Sequence, residues 1–185
     1  MSHGSIAHPR LDELIAELAS SRRDLLQAVD ETPAEVLHEQ SREDGWTLCQ
    51  ILEHLAVVEE GAGRLINRLI KNAKEQNVEE TNTESVLHVL DRFGLPVPTR
   101  RFRAPDFTTP QEGISLEQSL ERLRVSRERL LKVVESARGI SLSTVSAPHP
   151  AVGDIDGYGW LLATAQHERR HAYQIRQLSN KEHRA

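Results

Sequence analysis

The sequence predicts an all-α fold, a four-helix bundle with a long crossover loop between helices two and three. Three observations lead there. Four stretches repeat apolar residues at spacings of three and four, two of them open with a capping-box pattern, and the periodicity fades over the proline-rich residues 77–113.

The chain has 185 residues, 38% of them hydrophobic, enough for one compact domain with a real core, and residues 1–185 are read as a single domain. Its formal net charge of −5 argues against a surface that neutralises a phosphate backbone, so nucleic acid is not expected as a partner. Cys49 is the single cysteine, which excludes an intramolecular disulfide and a multi-cysteine zinc site; a metal would have to rest on His, Asp or Glu. Residues 1–10 lack the apolar core of a secretory signal, and no apolar run approaches the length that spans a bilayer. A cytoplasmic protein without membrane contact is the expectation.

Helix one is expected over residues 9–29, with Leu11, Leu14, Ile15, Leu18, Leu25, Leu26 and Val29 as its buried stripe and Arg22 as the polar intruder. Pro9 suits its first turn, and Thr32-Pro33 closes it. A short helical turn around residues 34–38 fits the polar connection that runs through Arg42-Glu43-Asp44-Gly45.

Helix two has a well-defined start: Thr47 caps it, Gln50 three residues on completes a capping box, and Trp46 staples onto Ile51. Its stripe is Leu48, Ile51, Leu55, Val58, Ala62, Leu65 and Leu69, and His54 lies beside it, aimed at or near the core. Taken alone, His54 is a core-edge histidine satisfied by one hydrogen bond; it becomes a ligand only with partners. Cys49 reads as a small hydrophobe rather than a reactive thiolate.

A short helical piece is expected at residues 84–91 of the crossover, which then gathers Pro96, Pro98, Pro105 and Pro110. Arg100, Arg101 and Arg103, interleaved with Phe102 and Phe107, would meet an anionic substrate group, or more simply form a solvated basic loop tethered by its phenylalanines.

Helix three is announced by Ser115 and Gln118, carries Leu116, Leu120, Leu123, Leu130 and Val134 on one face, and ends near Gly139. Arg127 falls in that apolar stripe, either burying its stem or pairing inside. Residues 141–159 read as loop, with no strand-like segment, and Asp156 is the expected cap of helix four. Helix four, residues 157–179, turns Trp160, Ala163, Thr164, His167, His171, Gln174, Ile175 and Leu178 inward. His3, His8 and His183, close to the ends of the chain, are assigned no role.

The chemistry centres on His167-Glu168-Arg169-Arg170-His171. Two imidazoles four residues apart on a helix stand one above the other, which is metal-clamp spacing. The same five residues match the zinc-peptidase pattern in which the intervening Glu is the general base. Fourteen residues follow His171, too few for a further downstream ligand, and Glu168 lies one position round the helix from His167, so that reading is set aside. Two ligands from helix four and one from helix two fit a site built between the facing helices of a bundle. Three imidazoles leave an ion a fourth position for water or substrate. A His pair stacked in a polar seam without metal is the competing interpretation.

Trp46-Thr47 followed by Ile51-Leu52-Glu53-His54-Leu55, with Trp160-Leu161-Leu162 leading into His167-Glu168-Arg169-Arg170-His171 and Gln174-Ile175, resembles the DinB-like superfamily of metal-binding four-helix bundles. His149-Pro150 before helix four is similar to one branch of it. The resemblance runs from about His8 to Leu178. It implies an up-down-down-up bundle, often a homodimer, with a divalent metal ion held by His54, His167 and His171. Zinc is the first choice, with nickel, iron or manganese also compatible with such ligands. Relatives include thiol-dependent S-transferases and a mycothiol-dependent isomerase, while others have been labelled metal-dependent hydrolases. The expectation is therefore a metal-dependent enzyme that activates a low-molecular-weight thiol for transfer to a small-molecule substrate. The alternatives are a hydrolase that uses a metal-activated water and a non-catalytic, stress-related metal-binding protein.

Overall fold

A computed structural model of the chain describes residues 7–40, 45–93, 110 and 113–179. Arg100, Arg101, Arg103, Phe102, Phe107, His3 and His183 lie outside the described residues. The element order is α1 (Pro9–Asp30), α2 (Leu48–Gln76), α3 (Leu116–Glu135), a hairpin of β1 (Ser146–His149) and β2 (Gly153–Asp156), and α4 (Gly157–Ser179). Among the described residues no helix is long and apolar enough to cross a membrane.

Local chemistry sets the helix ends. Both expected capping boxes form: Thr47 N–H donates to Gln50 Oε1 at 2.9 Å while Gln50 N–H donates to the Thr47 hydroxyl, and Ser115 and Gln118 repeat the pattern on α3. Asn77 ends α2 in a left-handed conformation, and Ser136 ends α3 ahead of a turn that closes at Gly139, also left-handed. The Asp156 carboxylate accepts from Gly159 N–H at 2.8 Å and so caps α4 as anticipated. Gly157 is required there by close approach, since a Cβ would sit 2.9 Å from that of Leu142.

Three expectations need correction. The hairpin occupies part of the stretch read as loop, with Ala147 opposite Ile155 and His149 opposite Gly153. Its strands, SAPH and GDID, are four residues long and lack the apolar alternation that makes strands visible in sequence. The helical piece expected at residues 84–91 is a turn followed by a 3-10 turn at Asp91–Phe93, because Glu13 of α1 accepts from the Ser85 hydroxyl and the Val86 N–H and diverts them from helical bonding. His8 does have a role: it is buried, its Nδ1 accepts from Leu11 N–H to cap α1, and its Nε2 lies 3.3 Å from the Ile140 carbonyl.

The core divides into two apolar clusters. One contains Leu14, Leu18, Ile66, Leu130, Tyr158 and Leu161; the other contains Leu25, Leu52, Leu55, Leu123, Ala172 and Ile175. Along the chain α1 and α4 pass from the first cluster to the second, whereas α2 and α3 pass from the second to the first. The widest contacts are α1 against α4 and α2 against α3, with a narrower contact between α2 and α4.

Between the clusters lies a polar layer to which every helix contributes. Glu168 of α4 accepts from Ser21 at 2.6 Å, from Arg22 Nε at 2.5 Å and from Arg127 at 2.8 Å. Glu59 of α2 accepts from Arg22 at 3.1 Å, from Arg127 Nε at 2.6 Å and from the Ser126 hydroxyl. The result is a closed ring of alternating charge, Arg22–Glu168–Arg127–Glu59. Burial works against the Arg127 guanidinium, but Glu168 and Glu59 more than offset it and keep the group charged. Arg22 and Arg127, the polar intruders in two apolar stripes, are thus accounted for by each other's partners.

Candidate metal centre

His54 stands two turns into α2, in a register that the capping box fixes, and Trp46 just ahead of the helix lies against it with ring centroids 4.7 Å apart. His167 and His171 occupy successive turns of α4 on the face that meets α2. The structure brings all three together: one ligand nitrogen from each lies within 4.8 Å of the others. Their ring centroids are 5.3 Å (54 to 167), 5.1 Å (54 to 171) and 4.6 Å (167 to 171) apart, with rings edge-on rather than stacked.

The nitrogen that each ring offers depends on its other partner. His171 Nδ1 lies 2.7 Å from the Gln174 side-chain oxygen, which only accepts, so Nδ1 carries the proton and Nε2 keeps its lone pair. That Nε2 faces Nε2 of His167 at 3.2 Å. Two nitrogens each about 2.0–2.1 Å from a tetrahedral ion stand about 3.3 Å apart by geometry, so the observed spacing fits an ion between them as well as it fits a hydrogen bond.

Electrostatics favour a neutral His167, the form that coordination needs. Desolvation, and then the charges of His171, His54, Arg170 and His149, push the His167 pKa well below the usual imidazole value. His54 and His171 are buried, while His167 is partly exposed. The cluster contains no carboxylate, so its three neutral ligands would leave the charge of a divalent ion uncompensated, which favours an anionic fourth ligand.

Two residues next to the site that the sequence singled out, Glu168 and His149, take structural places. Glu168 turns away into the ring of buried ion pairs, and with its carboxylate engaged by Ser21, Arg22 and Arg127 it is not placed as the general base that the five-residue pattern suggests. His149 sits on the hairpin against Trp160, ring centroids 4.9 Å apart, with the Trp160 indole donating to the Ala147 carbonyl at 3.1 Å. Glu59 was not singled out, although two arginines inside apolar stripes require buried acidic partners; that requirement is the signal that would have found it.

Comparison with known proteins agrees with the four-helix fold. The sequence pattern of the DinB superfamily matches residues 17–175. The chain belongs to the DinB superfamily. It is 26% identical over 152 residues to the uncharacterized protein YuaE of Bacillus subtilis (strain 168), covering 82% of this chain and 88% of that one. In structure it is similar to TT2238, described as a four-helix bundle protein, with a TM-score of 0.58, 26% identity, and coverage of 92% of this chain and 99% of the other. The matched span runs from within α1 to within α4 and includes His54, His167 and His171.

Proposed function

We propose that this DinB protein holds one divalent metal ion on His54, His167 and His171 and activates a thiol cosubstrate for group transfer. The observation that carries the proposal is the convergence of three imidazole nitrogens within 4.8 Å, with His167 partly exposed. When bound, the ion supplies the positive charge that lowers the pKa of a thiol from its ordinary value of about 8.5 into the range where the thiolate predominates. Zinc suits the three-nitrogen donor set, with nickel, iron and manganese as further occupants.

The chain's own residues supply the rest. His54 and His171 form the buried back of the site, and Gln174 fixes the His171 tautomer. Arg170 adds positive charge near His167, which favours an anion in the open position. In the transfer the thiol proton leaves to solvent, the sulfur forms a bond to an electrophilic carbon of the small-molecule substrate, and the leaving group departs with the electrons of the broken bond. A thiolate nucleophile needs no protein base once its proton is lost, and the one carboxylate next to a histidine of the α4 pair, Glu168, is fully engaged elsewhere.

The test is consumption of an electrophile by zinc-loaded protein with and without a panel of low-molecular-weight thiols. The proposal expects turnover that requires a thiol and is lost in the His167→Ala, His171→Ala variant. Thiol-independent release of a hydrolysis product would replace transfer with hydrolysis, and bound metal without turnover of either kind would leave a metal-binding protein.

A further inference from the structure

We infer that the ring Arg22–Glu168–Arg127–Glu59 is a register lock whose members are positioning residues for the metal site. This inference rests on the proposed metal site and goes beyond it, because none of the four is a ligand. The ring takes one member from each helix, and each carboxylate bridges both guanidiniums. A slide of one residue along any helix, or a rotation of about 100° about its axis, would break two of the four ion pairs at once. Apolar layers are more tolerant, because neighbouring leucines replace one another with little loss.

The ring is also contiguous with the site. Glu168 follows His167 directly, so fixing the Glu168 side chain fixes the rotation of the turn that presents His167. A small cavity has His167 and all four ring members in its wall. Glu59 stands five residues after His54 on α2, so the two ring carboxylates anchor the two helices that carry the three histidines. Stability alone does not explain such a ring, since buried ion pairs are commonly replaced by apolar groups without loss of stability. Positional specificity does explain it.

The test uses the full chain and two variants. Glu168→Gln removes one charge while keeping shape. The quadruple variant Arg22→Met, Glu59→Leu, Arg127→Met, Glu168→Leu removes two positive and two negative charges, so the net charge is unchanged and the cobalt spectrum reads the geometry of the ligands. Zinc affinity is measured by competition with a chromophoric chelator, coordination by the visible spectrum of the cobalt(II) form, and folding by circular dichroism and a cooperative melt. The inference expects zinc binding about 10–100-fold weaker and an altered cobalt spectrum in whichever variant folds, including a quadruple variant that melts at or above the wild-type temperature. A folded variant of either kind with wild-type zinc affinity and an unchanged cobalt spectrum would overturn it. Wild-type protein that binds neither ion would instead remove the metal reading on which it rests, so the two failures are distinct.

Discussion

Gln174 lies one turn beyond His171 on α4, with its side-chain oxygen 2.7 Å from Nδ1. This contact decides which nitrogen of His171 faces the cluster, because a proton held on Nδ1 leaves Nε2 as the donor atom. Gln174→Ala is expected to weaken zinc binding about 10–100-fold while costing little stability, and Gln174→Glu to retain the affinity, since a carboxylate accepts the same proton. A chelator competition titration of the two variants checks this; equal loss in both would mean that the contact does not set the tautomer.

Trp46 reports on the same site from the other side. Its ring centroid is 4.7 Å from that of His54, so an open-shell ion bound there would quench its fluorescence, whereas closed-shell zinc would not. Nickel is expected to quench strongly in wild-type protein and weakly in Trp46→Phe, where Trp160 is the remaining tryptophan. Identical quenching in both proteins would put the ion elsewhere.

The metal-free chain should be acid-sensitive in a defined direction. His167 has a depressed pKa in the folded state, chiefly through desolvation, and burial lowers His149 in the same sense. An imidazole of this kind binds its proton more readily when unfolded, so the stability tied to its neutral form is complete above about pH 6.5 and declines as pH falls through that value toward the folded-state pKa. Thermal melts between pH 7.5 and pH 5, as about the useful window, should show a falling midpoint, and His167→Asn should flatten the profile. A midpoint that rises with acid would contradict the assignment.

The start of α3, a helix without a histidine ligand, provides a control. Ser115 caps α3 with its hydroxyl on Gln118 N–H, so Ser115→Ala is expected to cost about 1 kcal/mol, measured by denaturant melts, with zinc affinity unchanged. Thr47→Ala should cost a similar amount, but because its helix carries His54 it should weaken zinc binding as well.

The helices and the cluster were legible in the sequence because their signals are local. Thr47 with Gln50 and Ser115 with Gln118 wrote two helix starts, and the inward stripes then placed His54, His167 and His171. The hairpin was not legible because SAPH and GDID are held by pairing and by Trp160 rather than by strand propensity. The ring was half legible. Arg22 and Arg127 stood out as charges in apolar stripes, and Glu168 could be set aside as a base from its place on the helix, but which carboxylates answered the arginines depended on how four helices meet. His8 was missed for a similar reason, since its burial comes from contact with Ile140, far along the chain.

The most direct measurement is the zinc content and binding isotherm of purified wild-type protein beside His54→Ala and the His167→Ala, His171→Ala double variant. The account predicts one ion per chain in the wild type, sharply weaker binding in His54→Ala, and none retained by the double variant. Equal metal content in all three proteins would contradict it.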